Sequence, residues 1–173
     1  LYIIYKMNFR KIILAVAAVI SLISCKSQYE LLLNSNDADA KYKAAFEYFE
    51  AKKYNKAATL FESLSALTDG TERDDTVRYY WGLSNYNFKD YYTAETNFQQ
   101  FCESYPRSPF ASQARYLRLD CLYRSTLRWE LDQAPTYKTI SEISEYILDF
   151  PENENMQKCK DMLEDLNWRL DKK

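Results

Sequence analysis

The 173-residue chain carries 23 Lys and Arg against 25 Asp and Glu, with 16 Tyr and 9 Phe but only 2 Gly and 4 Pro. That length suits one domain or one short repeat array, and turn residues are too few for an all-β architecture, so helices joined by short turns are expected. Histidine is absent, which removes Ser-His and Cys-His nucleophile pairs and the commonest transition-metal ligand, so no enzymatic activity and no cofactor are expected.

Met7 is followed by Arg10 and Lys11, by the apolar run Ile12 to Ser24, and by Cys25. A basic start and an apolar run too short to span a bilayer comfortably read as a secretory signal. The ending LISC, Leu22 to Cys25, resembles the lipobox of bacterial lipoproteins, with Ile23 the less usual residue in it. The resemblance implies cleavage before Cys25 and lipidation of its thiol. Residues 1–24 are therefore read as upstream residues and signal peptide, 25–36 as a lipidated linker, and 37–173 as the folded domain. Leu1 to Lys6 precede the expected start at Met7. Losing Lys6, Arg10 and Lys11 takes the formal net charge from −2 to −5. A mildly acidic chain has no electrostatic footprint for nucleic acid and no lysine cluster for an anionic membrane surface. The expected membrane link is the lipid, whose three acyl chains contribute about 0.8 kcal/mol per buried methylene.

Next come two matching segments, Ala44 to Phe61 and Trp81 to Phe98. Ala45 matches Gly82, Phe49 matches Tyr86, Lys52 matches Lys89, Tyr54 matches Tyr91, Ala57 matches Ala94 and Phe61 matches Phe98, each displaced by 37 residues. This resembles the tetratricopeptide repeat, a helix–turn–helix unit, with a few residues added at the connection LTDGTERDD. The expected fold is all-α, a tetratricopeptide-repeat superhelix (an α-solenoid of helix hairpins). Small residues at Ala45 and Gly82 let the first helix of each unit approach the second, where Ala57 and Ala94 sit at the crossing, and Phe61 and Phe98 fill the space between repeats. Asp69 to Asp75 concentrates carboxylates on what reads as a solvated turn that caps the next helix.

A less regular third unit follows. Ser108 to Trp129 reads as a helix, LDQAP as a turn, and Thr136 to Pro151 as a helix with a Thr cap and a proline stop. The units span about 37–70, 74–106 and 108–151, with a further helix at 153–170. That last helix has Met156, Cys159, Leu163, Leu166 and Leu170 at helical spacing with no following helix to cover them, and a fragment of a longer chain is expected. Cys102, Cys121 and Cys159 read as small buried thiols, a Cys102–Cys121 bridge being the alternative.

A lipobox cysteine, two repeats joined by GTER, the stretch Tyr105 to Ala114, and the inserted loop Leu131 to Ile140 with Asp132, Gln133 and Thr136 together resemble the BamD family of outer-membrane assembly lipoproteins. The resemblance implies an outer-membrane lipoprotein facing the periplasm. It also implies an adaptor whose N-terminal half receives unfolded barrel-protein clients and whose C-terminal half docks on a barrel-inserting protein and accessory lipoproteins. On the first helix of each repeat, residues at i, i+4 and i+7 share a face. One such stripe is Tyr42, Phe46 and Phe49, and its counterpart is Tyr79, Leu83 and Tyr86; these six are the expected peptide-binding groove, with Phe49 and Tyr86 open to a purely core role. Competing functions are a glycan-binding nutrient-capture repeat lipoprotein, which would need long insertions between repeats, and a generic envelope repeat protein.

Overall fold

A computed structural model describes residues 28–126, 128 and 130–172; the signal segment and Cys25 lie outside the described residues. A short helical segment at residues 28–33 precedes seven helices: α1 (Ala38–Glu50), α2 (Tyr54–Thr68), α3 (Asp74–Phe88), α4 (Tyr91–Ser104), α5 (Ala111–Ser125), α6 (Ala134–Asp149) and α7 (Met156–Asp171). No strand occurs among the described residues. Each helix packs on the next in sequence, as in a tetratricopeptide-like solenoid.

Local chemistry sets these boundaries. Asp37 accepts the amide of Ala40 at 3.0 Å and caps α1, and Asp90 accepts the amide of Thr93 at 3.2 Å and caps α4. Both tight turns inside the first two hairpins use a left-handed lysine, Lys52 at φ 57° and Lys89 at φ 70°. Left-handed backbone is where a Cβ is least welcome, so the turn geometry, repeated 37 residues apart, is imposed by the helix pairs it joins.

The crossings are as tight as the small residues suggested. A Cβ built on Gly82 would lie 2.9 Å from the Phe98 ring, and Ala45, Ala57, Ala94, Phe61 and Phe98 are fully buried. Three apolar clusters follow one another along the array. The first holds Leu60, Phe61, Leu64 and Val77; the second Phe98, Phe101, Ala114 and Leu117; the third Leu119, Ile143, Cys159 and Leu166. The last of these buries part of the apolar face of α7, with Leu163 packed against it. Cys102, Cys121 and Cys159 are free thiols, the latter two buried. Arg118 on α5 reaches both ways, to Glu95 of α4 at 3.0 Å and to Glu142 of α6 at 2.9 Å.

Three sequence expectations need correction. Asp74 is not on a solvated turn: it is 2% exposed and accepts from Arg78, from the Tyr105 hydroxyl and from the Gly70 amide. Helix α5 ends at Ser125, short of Trp129. Helix α6 begins at Ala134 with Pro135 in its first turn, ahead of the expected Thr136 cap. Gln133 explains that earlier start. Its amide donates to the carbonyls of Arg128 and Leu131 and accepts from the Thr136 hydroxyl, so the loop is tied down one turn before the threonine.

Candidate functional site

The first helices of the successive pairs, α1, α3, α5 and α7, lie side by side, and their contacts form a seam of aromatic rings and charges. Helix periodicity places Tyr42, Phe46 and Phe49 on one stripe of α1. All three are half-buried. Phe46 meets Phe61 edge-on at 5.1 Å and Tyr80 at 4.7 Å; Phe49 meets Tyr80 at 5.2 Å and Tyr54 at 5.4 Å. Tyr42 lies 4.8 Å from Phe46 with the Arg73 guanidinium 5.1 Å above its ring. Offset and edge-to-face pairs of this kind add to the area they bury.

On α3 the expected stripe divides. Tyr79 is 7% exposed and stacks on Phe110 at 4.5 Å and 11°, with Phe98 and Phe101 beside it. It belongs to the core between α3, α4 and the connection to α5, not to a groove. The residue that faces α1 is its neighbour Tyr80, which meets Phe46 and Phe49. One position along a helix is a rotation of about 100°, enough to move a side chain from one seam to the next. Leu83 and Tyr86 are half-buried against the second cluster. The six residues therefore do not form a single lining: five stay half-buried along the seam, and Tyr79 leaves it.

Sequence reasoning missed a recurring polar unit. Asp74 with Arg78, Asp120 with Arg124 and Asp165 with Arg169 are ion pairs four residues apart, and each aspartate also accepts a tyrosine hydroxyl, from Tyr105, Tyr86 and Tyr123 respectively. Tyr86 thereby links α3 to α5, and Tyr123 links α5 to α7. The guanidinium of Arg124 covers Tyr86 and Tyr91 at 5.8 and 5.4 Å, and that of Arg169 covers Tyr123 at 5.1 Å. The signal was present as an Asp-x-x-x-Arg spacing in four places, of which Asp69–Arg73 does not form the unit: Asp69 pairs with Arg78 and Arg73 with Asp39. Burial first, and then the neighbouring aspartate, raises Tyr86, Tyr105 and Tyr123 above the ordinary tyrosine value. These hydroxyls are held as donors that tie helices together.

Burial also pushes the thiols up, Cys121 to about 12 and Cys159 to about 11, far from the thiolate a nucleophile needs. No cluster of metal-ligating side chains occurs among the described residues. A cleft of about 310 Å³ opens between α4, α5 and α6, with Cys102, Arg115 and Arg118 in its wall and Glu103, Glu145 and Asp149 beside them. What the described surface offers is shape, rings and charge for contact. The most exposed rings, Phe88, Tyr92, Tyr137 and Trp168, are not among the six expected positions.

No curated protein matches the chain. A family model described as "YfiO: Outer membrane lipoprotein" matches residues 34–173, from just before α1 to the last residue. The chain belongs to this family of outer-membrane lipoproteins.

Proposed function

We propose that this protein is a BamD-type lipoprotein, a non-enzymatic adaptor of the outer-membrane β-barrel assembly machinery. It is anchored through a lipid on Cys25 and faces the periplasm. The observation that carries the reading is the outer-membrane lipoprotein family match over the whole helical array. Support comes from the inserted loop, where Asp132, Gln133 and Thr136 have structural work: Asp132 accepts the Ala134 amide at 3.0 Å, and Gln133 holds the loop carbonyls and Thr136.

The clients are unfolded barrel segments, whose strands alternate apolar and polar residues. Half-buried rings at Tyr42, Phe46, Phe49 and Tyr86, with the half-buried Leu83 side chain, give such a strand apolar edges to lie on, and tyrosine presents large area at low entropy cost. The remaining partners are the barrel-inserting protein and accessory lipoproteins. A glycan-capturing lipoprotein would carry long insertions between repeats. Here the connections inside and between the first two pairs run only from Glu50 to Tyr54, Thr68 to Asp74 and Phe88 to Tyr91.

Affinity purification of the full-length lipidated protein tests the assignment. A large outer-membrane barrel protein with periplasmic repeats should co-purify; recovery of a glycan transporter alone would sink it. For the client site, a peptide copying the last strand of an outer-membrane barrel should bind, and Tyr42→Ala should weaken it by roughly 1–2 kcal/mol. Unchanged affinity in a Tyr42 variant that melts like the parent would remove the seam from the client path.

A further inference from the structure

The turn between α1 and α2 breaks a rule that the turn between α3 and α4 obeys. Displaced by 37 residues, Lys52, Lys53 and Lys56 correspond to Lys89, Asp90 and Thr93. Asp90 accepts the Thr93 amide and caps α4, as an acidic N-cap should. Lys53 in the same place gives α2 no side-chain cap and sets a cation against the positive end of the helix dipole. Among the described residues none of Lys52, Lys53 and Lys56 is in an ion pair. Of the acidic residues close by in sequence, Glu47 faces Lys43 at 4.0 Å, leaving Glu50. A local rule broken, with only the Lys53–Tyr48 ring contact at 5.8 Å in return, points to a function for the broken position.

That corner is also where the chain enters the fold. The Lys56 ammonium lies 4.9 Å above the Tyr29 ring, the Tyr29 hydroxyl donates to the Lys56 carbonyl at 3.2 Å, and Lys53 lines one cleft with Gln28 and Tyr29. Leu32 and Leu33 pack on the first cluster. Beneath them Lys41, only 3% exposed, donates to the Ser63 hydroxyl, which donates to the Leu33 carbonyl at 3.4 Å. The segment at residues 28–33 is thus fastened to the first helix pair. Cys25 stands three residues before Gln28, and three peptide units reach about 11 Å at most. A lipid on Cys25 therefore keeps this corner close to the headgroup layer, where the charge of anionic lipids is felt.

We propose that the corner formed by Lys52, Lys53 and Lys56 is a docking surface for anionic phospholipid headgroups in the leaflet that holds the anchor. The inference rests on lipidation at Cys25, proposed above. It replaces the expectation that the lipid alone meets the membrane: within a −5 chain these three lysines fall at one short turn, and folding sets that turn at the corner next to the anchor. Lipid and corner together fix which end of the helical array faces the bilayer.

The test is amine labelling of the lipidated full-length chain, read by mass spectrometry, in vesicles of phosphatidylcholine with phosphatidylglycerol, in phosphatidylcholine vesicles, and in neutral detergent. Lys52 and Lys53 should react several-fold more slowly in the anionic vesicles than in either other condition, while Lys89 and Lys138 react alike in all three. In the Lys52→Gln/Lys53→Gln double variant, which keeps the Lys56–Tyr29 contact, the protection of Lys56 by anionic lipid should fall. Equal rates for Lys52 and Lys53 in the two vesicle types overturn the proposal. A chain that fails to float with any vesicle overturns the lipidation itself, and the missing flotation separates that outcome from lost protection.

Discussion

At Gly82 a single hydrogen in place of a side chain lets two helices touch, because the Phe98 ring already occupies the space a Cβ would enter. Phe98 is fully buried and has no solvent side to move toward. Gly82→Ala should therefore lose more to overpacking, about 1–3 kcal/mol, than the roughly 1 kcal/mol that alanine returns in helix propensity. A net loss of about 1 kcal/mol in urea unfolding is the expected outcome, and a stabilised variant would show that the ring yields. The close approach at Gly82 was legible in the sequence, since a small residue recurs at Ala45 and Gly82; its partner was not, because Ala94 was expected at the crossing and the Phe98 ring between repeats. Nor was the place of Tyr79. A stripe drawn at helical spacing tells which residues share a face, but α3 is flanked by helices on several sides, and nothing in Tyr79-Tyr80 says which ring turns to Phe110 and which to Phe46.

Between residues and the whole array stand the turns and loops that set where each helix begins. Gln133 is 4% exposed and satisfies two carbonyls and a hydroxyl at once. Gln133→Ala would leave the buried Thr136 hydroxyl without its acceptor and two loop carbonyls without their donor, at about 1–3 kcal/mol. Hydrogen exchange should rise in the loop before α6 and in its first turn while α1 to α4 keep their protection; uniform exchange would mean that the loop does not need this side chain. Lys53 offers the opposite trade. Lys53→Asp should cap α2 as Asp90 caps α4, at about 1 kcal/mol for the cap, offset in part by the Lys53–Tyr48 contact at 5.8 Å that it removes. A higher urea midpoint is expected, and a lower one would show the ring contact to be worth more than the cap. The existence and order of the helices could be read from periodicity, whereas the ends of α5 and α6 could not. Those ends depend on side-chain bonds to loop carbonyls, which leave no periodic trace.

Across the whole molecule the tyrosines make stability depend on alkaline pH. Burial pushes Tyr79 and Tyr146 up to about 12 from an ordinary 10.0, and Cys121 and Cys159 up to about 12 and 11 from 9.0. The folded chain thus keeps protons that the unfolded chain releases first. The sign follows from linkage: stability is intact below about pH 9 and falls as pH rises through about 12. The last part of the tyrosinate absorbance, from the buried rings, should appear together with the loss of far-UV ellipticity in one cooperative step, and ionisation of all tyrosines with the helices intact would contradict this. The solenoid itself was legible, because displaced copies of one unit declare a stack whose stability is a sum over neighbours. The Asp–Arg–Tyr links between α3, α5 and α7 were less so, since they join residues far apart in sequence. In such a stack interdigitating side chains set a preferred angle between neighbours, and polar contacts add to that constraint. Arg118, rooted on α5, grips a carboxylate on the helix before and another on the helix after. The two grips act as opposed guy lines: straightening the array at this point pulls on one and coiling it further pulls on the other, so a single charge takes part in setting its curvature there.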